Sequence, residues 1–173
     1  MPTEIPKQYW DSCVFLSYVN ETAGRVDDVA SLLEEAANRR IEIVTSVLTI
    51  AEVAFGAEEQ TKKKLDPEIE KRINRLWEPA SPVNLIEVYS TIAEDARALA
   101  RSVIEKGWSL KGYDSLHLAA ARRLGVTLFA TYDDALLKYA DVVGFPIEHP
   151  AVMAPRLGLT ERAGPEVEST TDL

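Results

Sequence analysis

Short runs of β-branched and aromatic residues alternate along the chain with longer segments in which apolar residues recur every three or four positions. This pattern predicts strands at residues 8–11, 41–45, 83–88 and 127–131, and a weak edge strand at 144–149. It predicts helices at residues 12–19, 26–40, 46–60, 66–77, 90–106, 114–125 and 133–140. Such alternation is typical of a three-layer α/β/α fold around a twisted, mostly parallel central sheet.

Individual residues mark several of the predicted helix ends. Asp66 and Pro67 form an N-cap and first-turn pair, while Gly107 and Gly125 stand where helices should stop. The segment 154–173 has no periodicity and is rich in Gly, Pro, Glu and Thr, which is typical of a flexible tail. We therefore expect one domain over residues 1–153 and a tail over 154–173.

Composition limits the cellular setting. The chain has 173 residues, enough for one domain with a substantial core. No apolar run approaches the roughly 18 residues of a membrane span, and the first residues lack the pattern of a secretory signal. Cys13 is the only cysteine, so an internal disulfide is impossible and a reducing cytoplasm is the expected location.

The charge balance argues against a protein that simply coats nucleic acid. The formal net charge is −9, whereas such proteins usually carry a basic surplus. The short basic runs at 39–40, 62–64 and 122–123 are typical of solvated helix ends and faces. An enzyme that meets a polyanion through bound metal ions remains compatible with this charge.

Four acidic residues differ from the rest because each lies beside apolar sequence near a strand end. They are Asp11, Glu52, Asp114 and Asp133. An unpaired buried carboxylate costs several kcal/mol, so it needs a cation, strong hydrogen-bond donors or a proton. No lysine or arginine lies three or four positions from Glu52 to provide that partner on its helix.

Two of these acids follow predicted strands directly, at the edge where open parallel sheets form their ligand crevice. If the first and fourth strands are neighbours, Asp11 and Asp133 face each other there. Four carboxylates in one crevice would repel one another. A divalent cation removes that repulsion, and all-oxygen ligands favour Mg²⁺ or Mn²⁺.

Each acid also has a purely structural interpretation. Asp11 and Asp114 could be helix N-caps, and Glu52 could lie at the rim of a partly exposed helix. Asp133 and Asp134 could form a capping pair.

Neither histidine is a strong candidate for a metal ligand. His117 is more typical of a packed or hydrogen-bonded histidine than of a ligand, and His149 is no better placed. No His or Cys spacing indicates zinc.

Three segments together resemble the motifs of PIN-domain ribonucleases, and most closely those of VapC-type toxins. "YWDSCVFLSYV" resembles the first motif, in which a strand, an Asp and a hydroxyl residue precede an apolar helix. "TSVLTIAEVAF" resembles the second, and "LKGYDSLHLAAARRLGVTLFATYDDALLKYA" the joined third and fourth. The resemblance covers about residues 8–150.

The resemblance implies an endoribonuclease that depends on Mg²⁺ or Mn²⁺, cuts RNA with activated water, is often a homodimer and is inhibited by an antitoxin protein. Asp11 and Asp114 would be direct metal ligands, Asp133 a direct or water-mediated ligand, and Glu52 the acid that orients or deprotonates the attacking water. The remaining implied site residues are the possible fifth carboxylate Asp134 and the supporting hydroxyls Ser12 and Thr131.

Two other functions stay open at this point. A non-catalytic interaction module could keep the fold and use the acids to bind a stabilising metal, or nothing. A phosphoacceptor or phosphatase domain could use strand-end aspartates, but the segment from Asp11 to Cys13 lacks the second Asp two positions on that a phosphoaspartate phosphatase needs. Extra sequence near 57–80, together with the tail, sets the chain apart from the family pattern.

Overall fold

The computed structural model describes residues 4–152, in which five strands form one parallel sheet with helices on both faces. The strands are β1 Lys7–Trp10, β2 Glu42–Ser46, β3 Val83–Ile86, β4 Leu128–Ala130 and β5 Ile147–Glu148. The α-helices are α1 Ser12–Val19, α2 Val26–Ala37, α3 Leu48–Glu52, α4 Ala57–Lys62, α5 Pro67–Trp77, α6 Ser90–Ser102, α7 Gly112–Leu124, α8 Asp134–Leu137 and α9 Ala140–Val143. The predicted α/β/α class is confirmed.

The strand order is β3-β2-β1-β4-β5, and every pairing is parallel. Trp10 at the end of β1 lies opposite Ala130 at the end of β4. The Asp11 amide then donates to the Ala130 carbonyl oxygen at 3.1 Å. The predicted neighbourhood of the first and fourth strands is therefore correct, and it brings the residues that follow both strands to one edge of the sheet.

Side chains that alternate along the central strands build two cores, one on each face. Tyr9 packs with α6 and α7, while Trp10 packs with α1, α2 and α5, and both are fully buried. In β2, Val44 and Ile43 divide in the same way. Burial on both faces explains why consecutive residues of β1 and β2, rather than alternate ones, are buried.

The prediction of a single helix over 46–60 is wrong, because the helical backbone is interrupted after Glu52. Helix α3 ends there, and α4 begins beyond Gly56, whose extended backbone serves as its N-cap. The Glu59 carboxylate accepts the Gly56 amide at 2.9 Å, which completes the cap. A Cβ at Gly56 would lie 2.9 Å from Cγ2 of Ile69, so glycine permits α5 to approach this turn closely.

The other differences from prediction concern helix and strand ends. Helix α2 stops at Ala37 rather than at residue 40, since Arg39 has a positive φ of 57°. The helix predicted over 90–106 ends at Ser102 and continues as a 3₁₀ turn up to Gly107. The helix predicted over 133–140 ends early, because α8 stops at Leu137 and a separate short helix, α9, begins at Ala140. The predicted cap at Asp66 and the stop at Gly125 are both confirmed.

Replacing Gly56 with alanine should lower the free energy of unfolding by about 1–3 kcal/mol, because the added methyl group overpacks the contact with Ile69. Gly112→Ala is the matched control, since a Cβ there meets nothing within 4 Å. Denaturant unfolding of both variants checks this prediction. Equal stability of the two variants would contradict it.

No helix within residues 4–152 is long and apolar enough to cross a membrane. The predicted tail, residues 154–173, lies outside the described residues. The division into one domain and a tail stays a prediction.

Candidate active site

Asp11 follows β1 directly and is buried, with 7 % of its surface exposed. Its carboxylate accepts hydrogen bonds from two hydroxyls, Ser12 Oγ to Oδ1 at 3.1 Å and Thr131 Oγ1 to Oδ2 at 2.9 Å. Although Asp11 precedes α1, its side chain makes no capping hydrogen bond. Asp11 is therefore the N-cap residue of α1 by position, but its carboxylate does not cap the helix and is held in place by hydroxyl donors.

Thr131 connects the first and fourth strand ends. Its hydroxyl donates to Asp11 and accepts the amide of Asp133 at 3.0 Å. Because its one proton is used on Asp11, the 3.2 Å contact with Cys13 requires the thiol to be the donor. The Cys13 sulfur in turn accepts the Tyr132 amide at 3.1 Å. This network fixes the backbone on which both acids stand.

The Cys13 thiol should react very slowly in the folded protein. Burial raises its pKa from 9.0 to about 12, and the negative charge of Asp11 adds to the shift. Near neutral pH the thiolate fraction is then about 10³-fold lower than for an ordinary thiol. We expect a disulfide reagent to label Cys13 at least two orders of magnitude more slowly in native protein than in guanidinium chloride. Similar rates in both conditions would contradict the burial of the thiol beside Asp11.

Asp114 lies in the first turn of α7, since that helix begins at Gly112 with Lys111 as its N-cap residue. The N-cap interpretation of Asp114 is therefore wrong. Its carboxyl group is half-buried and so loses part of its hydration.

The pKa of Asp114 depends on the charges of two other acids. Burial raises the pKa of the Asp114 carboxyl, and the charges of Asp11 and Asp133 raise it further. The positive charge of Lys111 opposes the shift without cancelling it. Asp11, Asp114 and Asp133, which we call the acid site, therefore act on one another although they are far apart in the chain.

Asp133 and its neighbour serve partly as the capping interpretation predicts. Asp133 caps α8, because its Oδ1 accepts the Ala135 amide at 2.9 Å. Asp134 instead contacts His149, with Oδ1 2.7 Å from Nε2 and 79 % of the acid side chain exposed. The structure thus places Asp134 in contact with a surface histidine rather than with the other acids.

Glu52 is the last residue of α3, and its side chain is 25 % exposed. Its Oε2 lies 2.6 Å from Nε2 of the buried His117, so the structure ties this acid to an imidazole. Within residues 4–152, no lysine or arginine forms a salt bridge with Glu52 or with any member of the acid site.

The donor chemistry of the acid site suits a hard divalent cation. All its ligand atoms are carboxylate oxygens, and the mutual repulsion felt by Asp114 is what such an ion would relieve. Among the described residues, no three acidic, histidine or cysteine side chains already stand as a closed cage. The residues therefore fit an ion by charge and atom type, and their side chains would have to converge further to hold it.

A comparison with known protein families shows which family the chain belongs to. The family model described as the PIN domain matches residues 9–142, most of the chain. The chain belongs to the PIN domain family. This confirms the family resemblance of the three motifs.

Several solved structures share the fold at low sequence identity. VapBC2 from Rickettsia felis, bound to a promoter DNA fragment, matches with a TM-score of 0.60 and 16% identity over 83% of this chain and 98% of that one. FitAcB from Neisseria gonorrhoeae gives 0.58 and 14% over 83% and 97%. VapC20 from Mycobacterium tuberculosis, a toxin that cleaves the sarcin-ricin loop, gives 0.55 and 14% over 80% and 95%. No curated protein matches the sequence.

Sequence reasoning missed the hydrogen-bond partners that surround the acids in this PIN domain. His117 is the packed, hydrogen-bonded histidine that the sequence predicts. Its partners were not predicted, and one of them is Glu52. The available signal was the spacing of His117, three positions after Asp114 on one face of α7. Thr45, which donates to the Trp10 carbonyl oxygen at 2.8 Å, likewise fixes the backbone just before Asp11.

Proposed function

We propose that this PIN domain is a metal-dependent endoribonuclease and the toxin of a type II toxin–antitoxin pair. The observation that supports this most is the acid site, in which two buried or half-buried aspartates and Asp133 repel one another at the carboxyl edge of the sheet. PIN domains are generally nucleases. A structural neighbour of this chain is described as a toxin that cleaves RNA.

In this proposal each acid has its own role in hydrolysis. When bound, Mg²⁺ or Mn²⁺ would neutralise the scissile phosphate and make the attacking water more acidic. Asp11 and Asp114 would hold the ion directly, and Asp133 directly or through water. Glu52 would orient the attacking water and accept its proton. No protein nucleophile is required, which agrees with a protonated, partly buried Cys13.

The hydroxyls support the acid that is most deeply buried. Ser12 and Thr131 each donate to one oxygen of Asp11, which stabilises its charged form and limits its rotation. Asp134 would have to leave His149 to join the acid site, so we propose it only as an outer carboxylate.

Cleavage of a mixed RNA pool with Mg²⁺ or Mn²⁺ tests the proposal. Wild-type protein should cut the RNA, Asp114→Asn should not, and EDTA should stop the reaction. Glu34→Gln is the matched control, because Glu34 is an exposed acid near the far end of α2. Equal activity of wild type and Asp114→Asn after identical purification would show a contaminant and rule the assignment out.

A non-catalytic interaction module is the second candidate. It is favoured by the engagement of Glu52 with His117 and of Asp133 with its own helix, which leaves no closed cage among residues 4–152. Calorimetry with Mn²⁺ separates the two candidates when combined with the cleavage assay. Ion binding without cleavage of any RNA would favour the module.

The proposal includes partners and a location. We propose that an antitoxin covers the acid site with a basic side chain, since one structural neighbour is described as a toxin–antitoxin complex from Klebsiella pneumoniae. We also propose a homodimer in the cytoplasm, where a lone thiol stays reduced. An upstream reading frame for a small DNA-binding protein would support the pairing, and its absence would favour a stand-alone nuclease.

A further inference from the structure

A chain of buried hydrogen bonds lies behind Glu52 and reaches the centre of the sheet. Glu52 Oε2 stands 2.6 Å from His117 Nε2, and His117 Nδ1 stands 2.7 Å from the Tyr9 hydroxyl. The Ser46 amide donates to that hydroxyl at 3.1 Å. His117 and Tyr9 are 2 % and 0 % exposed, so water cannot substitute for either partner.

With Glu52 ionised and the imidazole neutral, the donors and acceptors of this chain match in only one arrangement, because a carboxylate oxygen 2.6 Å from Nε2 can only accept. The Tyr9 oxygen accepts from Ser46, so its own proton is available for His117 Nδ1. Burial holds the pKa of the Tyr9 hydroxyl well above its usual range, so the group keeps that proton. Nδ1 is then an acceptor, and Nε2 carries the hydrogen that points at the Glu52 carboxylate.

Glu52 depends on this contact for its orientation. It is the last residue of a five-residue helix, and the chain turns away at Val53. The imidazole is the one hydrogen-bond partner of its side chain among the described residues, and it occupies Oε2. Oε1 is left as the oxygen that can accept a proton.

We propose that His117, set in one tautomer by Tyr9, is a positioning residue that holds Glu52 Oε2 and leaves Oε1 to the attacking water. This inference rests on the proposed nuclease function, because it assigns a task within that reaction. The tautomer of His117 and its contact with Glu52 do not require a bound ion, so both can be measured in the ion-free protein.

Two substitutions of His117 separate positioning from packing. A glutamine side chain places its amide nitrogen near Nε2 and can still donate to Glu52. An asparagine side chain places its amide near Nδ1, so it can face Tyr9 but cannot reach Glu52. Both substitutions remove the same buried imidazole, so the two variants form a matched pair.

We expect His117→Asn to lower kcat for RNA cleavage by about 10–100-fold with KM changed by less than about threefold. His117→Gln should recover kcat to within about fivefold of wild type, although both variants lose comparable melting temperature. A purely structural role predicts that kcat follows the melting temperature in both. Equal losses of kcat, or an unaffected His117→Asn, would overturn the inference.

Nitrogen NMR of histidine-labelled, ion-free protein gives the readout that does not depend on activity. The chain has two histidines, so His149→Gln assigns the His117 signals. We expect a proton on Nε2 and none on Nδ1 in wild type, and a mixture of tautomers in Tyr9→Phe. A proton on Nδ1 in wild type would overturn the inference even where RNA is cut.

The spectrum and the Tyr9→Phe variant still decide the matter if His117→Asn does not fold. Tyr9→Phe removes only a hydroxyl, and we expect its kcat to fall by about threefold or more with KM unchanged. An unchanged kcat together with an unchanged tautomer would overturn the inference. Wild-type protein that cuts no RNA would instead overturn the proposed function, and the task of His117 with it.

Discussion

Asp114→Asn should abolish RNA cleavage and, in ion-free buffer, make the folded protein more stable. The loss of this proposed metal ligand should lower kcat/KM by at least about 10²-fold, since a metal ion contributes several kcal/mol to such a reaction. The gain in stability has a separate cause. Burial and the charges of Asp11 and Asp133 raise the pKa of Asp114, so the ionised carboxylate is less favourable in the folded state than in the unfolded chain.

The direction of the pH dependence follows from that raised pKa. Between the unfolded pKa of Asp114 and its higher folded pKa, the folded protein binds more protons, so this group makes stability fall as pH rises. Above the folded pKa the full penalty is present, and asparagine removes it. Partial exposure limits the gain to about 1 kcal/mol, or roughly 2–4 °C in melting temperature.

Thermal melts of wild type, Asp114→Asn and Glu34→Gln across acidic to neutral pH measure the effect. Asp114→Asn should gain on wild type as pH rises through this window, whereas the exposed control should follow wild type. An Asp114→Asn protein that is less stable than wild type in EDTA at neutral pH would contradict the electrostatic account of the acid site.

Mn²⁺ or Mg²⁺ should raise the melting temperature of wild-type protein, and Asp11→Asn should lose most of that response. An ion at about 100 times its Kd stabilises the folded state by about 2.7 kcal/mol, or roughly 5–10 °C for a chain of this size. Asp11 is the most buried member of the acid site, and the amide variant removes its charge and one oxygen of the proposed ligand set.

Melts with matched ionic strength separate site binding from screening. The shift in wild type should saturate with ion concentration and be absent when NaCl replaces the divalent salt. A shift that is the same in Asp11→Asn as in wild type would show that the ion binds elsewhere, and would remove Asp11 from the proposed ligand set.

Much of the fold and of the acid site could be predicted because the information is local. Asp11 follows an apolar strand and Asp133 follows another, and parallel strands bring such ends to one edge. The break after Glu52 was not predictable by periodicity, because it depends on Gly56 meeting Ile69 of a later helix. That contact joins residues whose neighbourhood exists only in the folded chain.

The other contacts of the site were not predicted because they join residues that are far apart in the sequence. Glu52 contacts His117 across 65 positions, and His117 contacts Tyr9 across 108. The sequence indicated that Glu52 lacks a local cation, which is correct, but it could not indicate an imidazole from another helix. Hydrogen-bond roles such as that of Cys13 toward Thr131 also follow only from three-dimensional proton counting.

Anomalous scattering from a crystal grown with Mn²⁺ tests most directly whether the acid site holds one ion. We predict a single strong peak at the carboxyl edge of the sheet, with carboxylate oxygens of Asp11 and Asp114 at about 2.0–2.3 Å and Asp133 in direct or water-mediated contact. A saturated crystal in which manganese binds elsewhere, with Asp11 and Asp114 ordered and directed apart, would contradict the account.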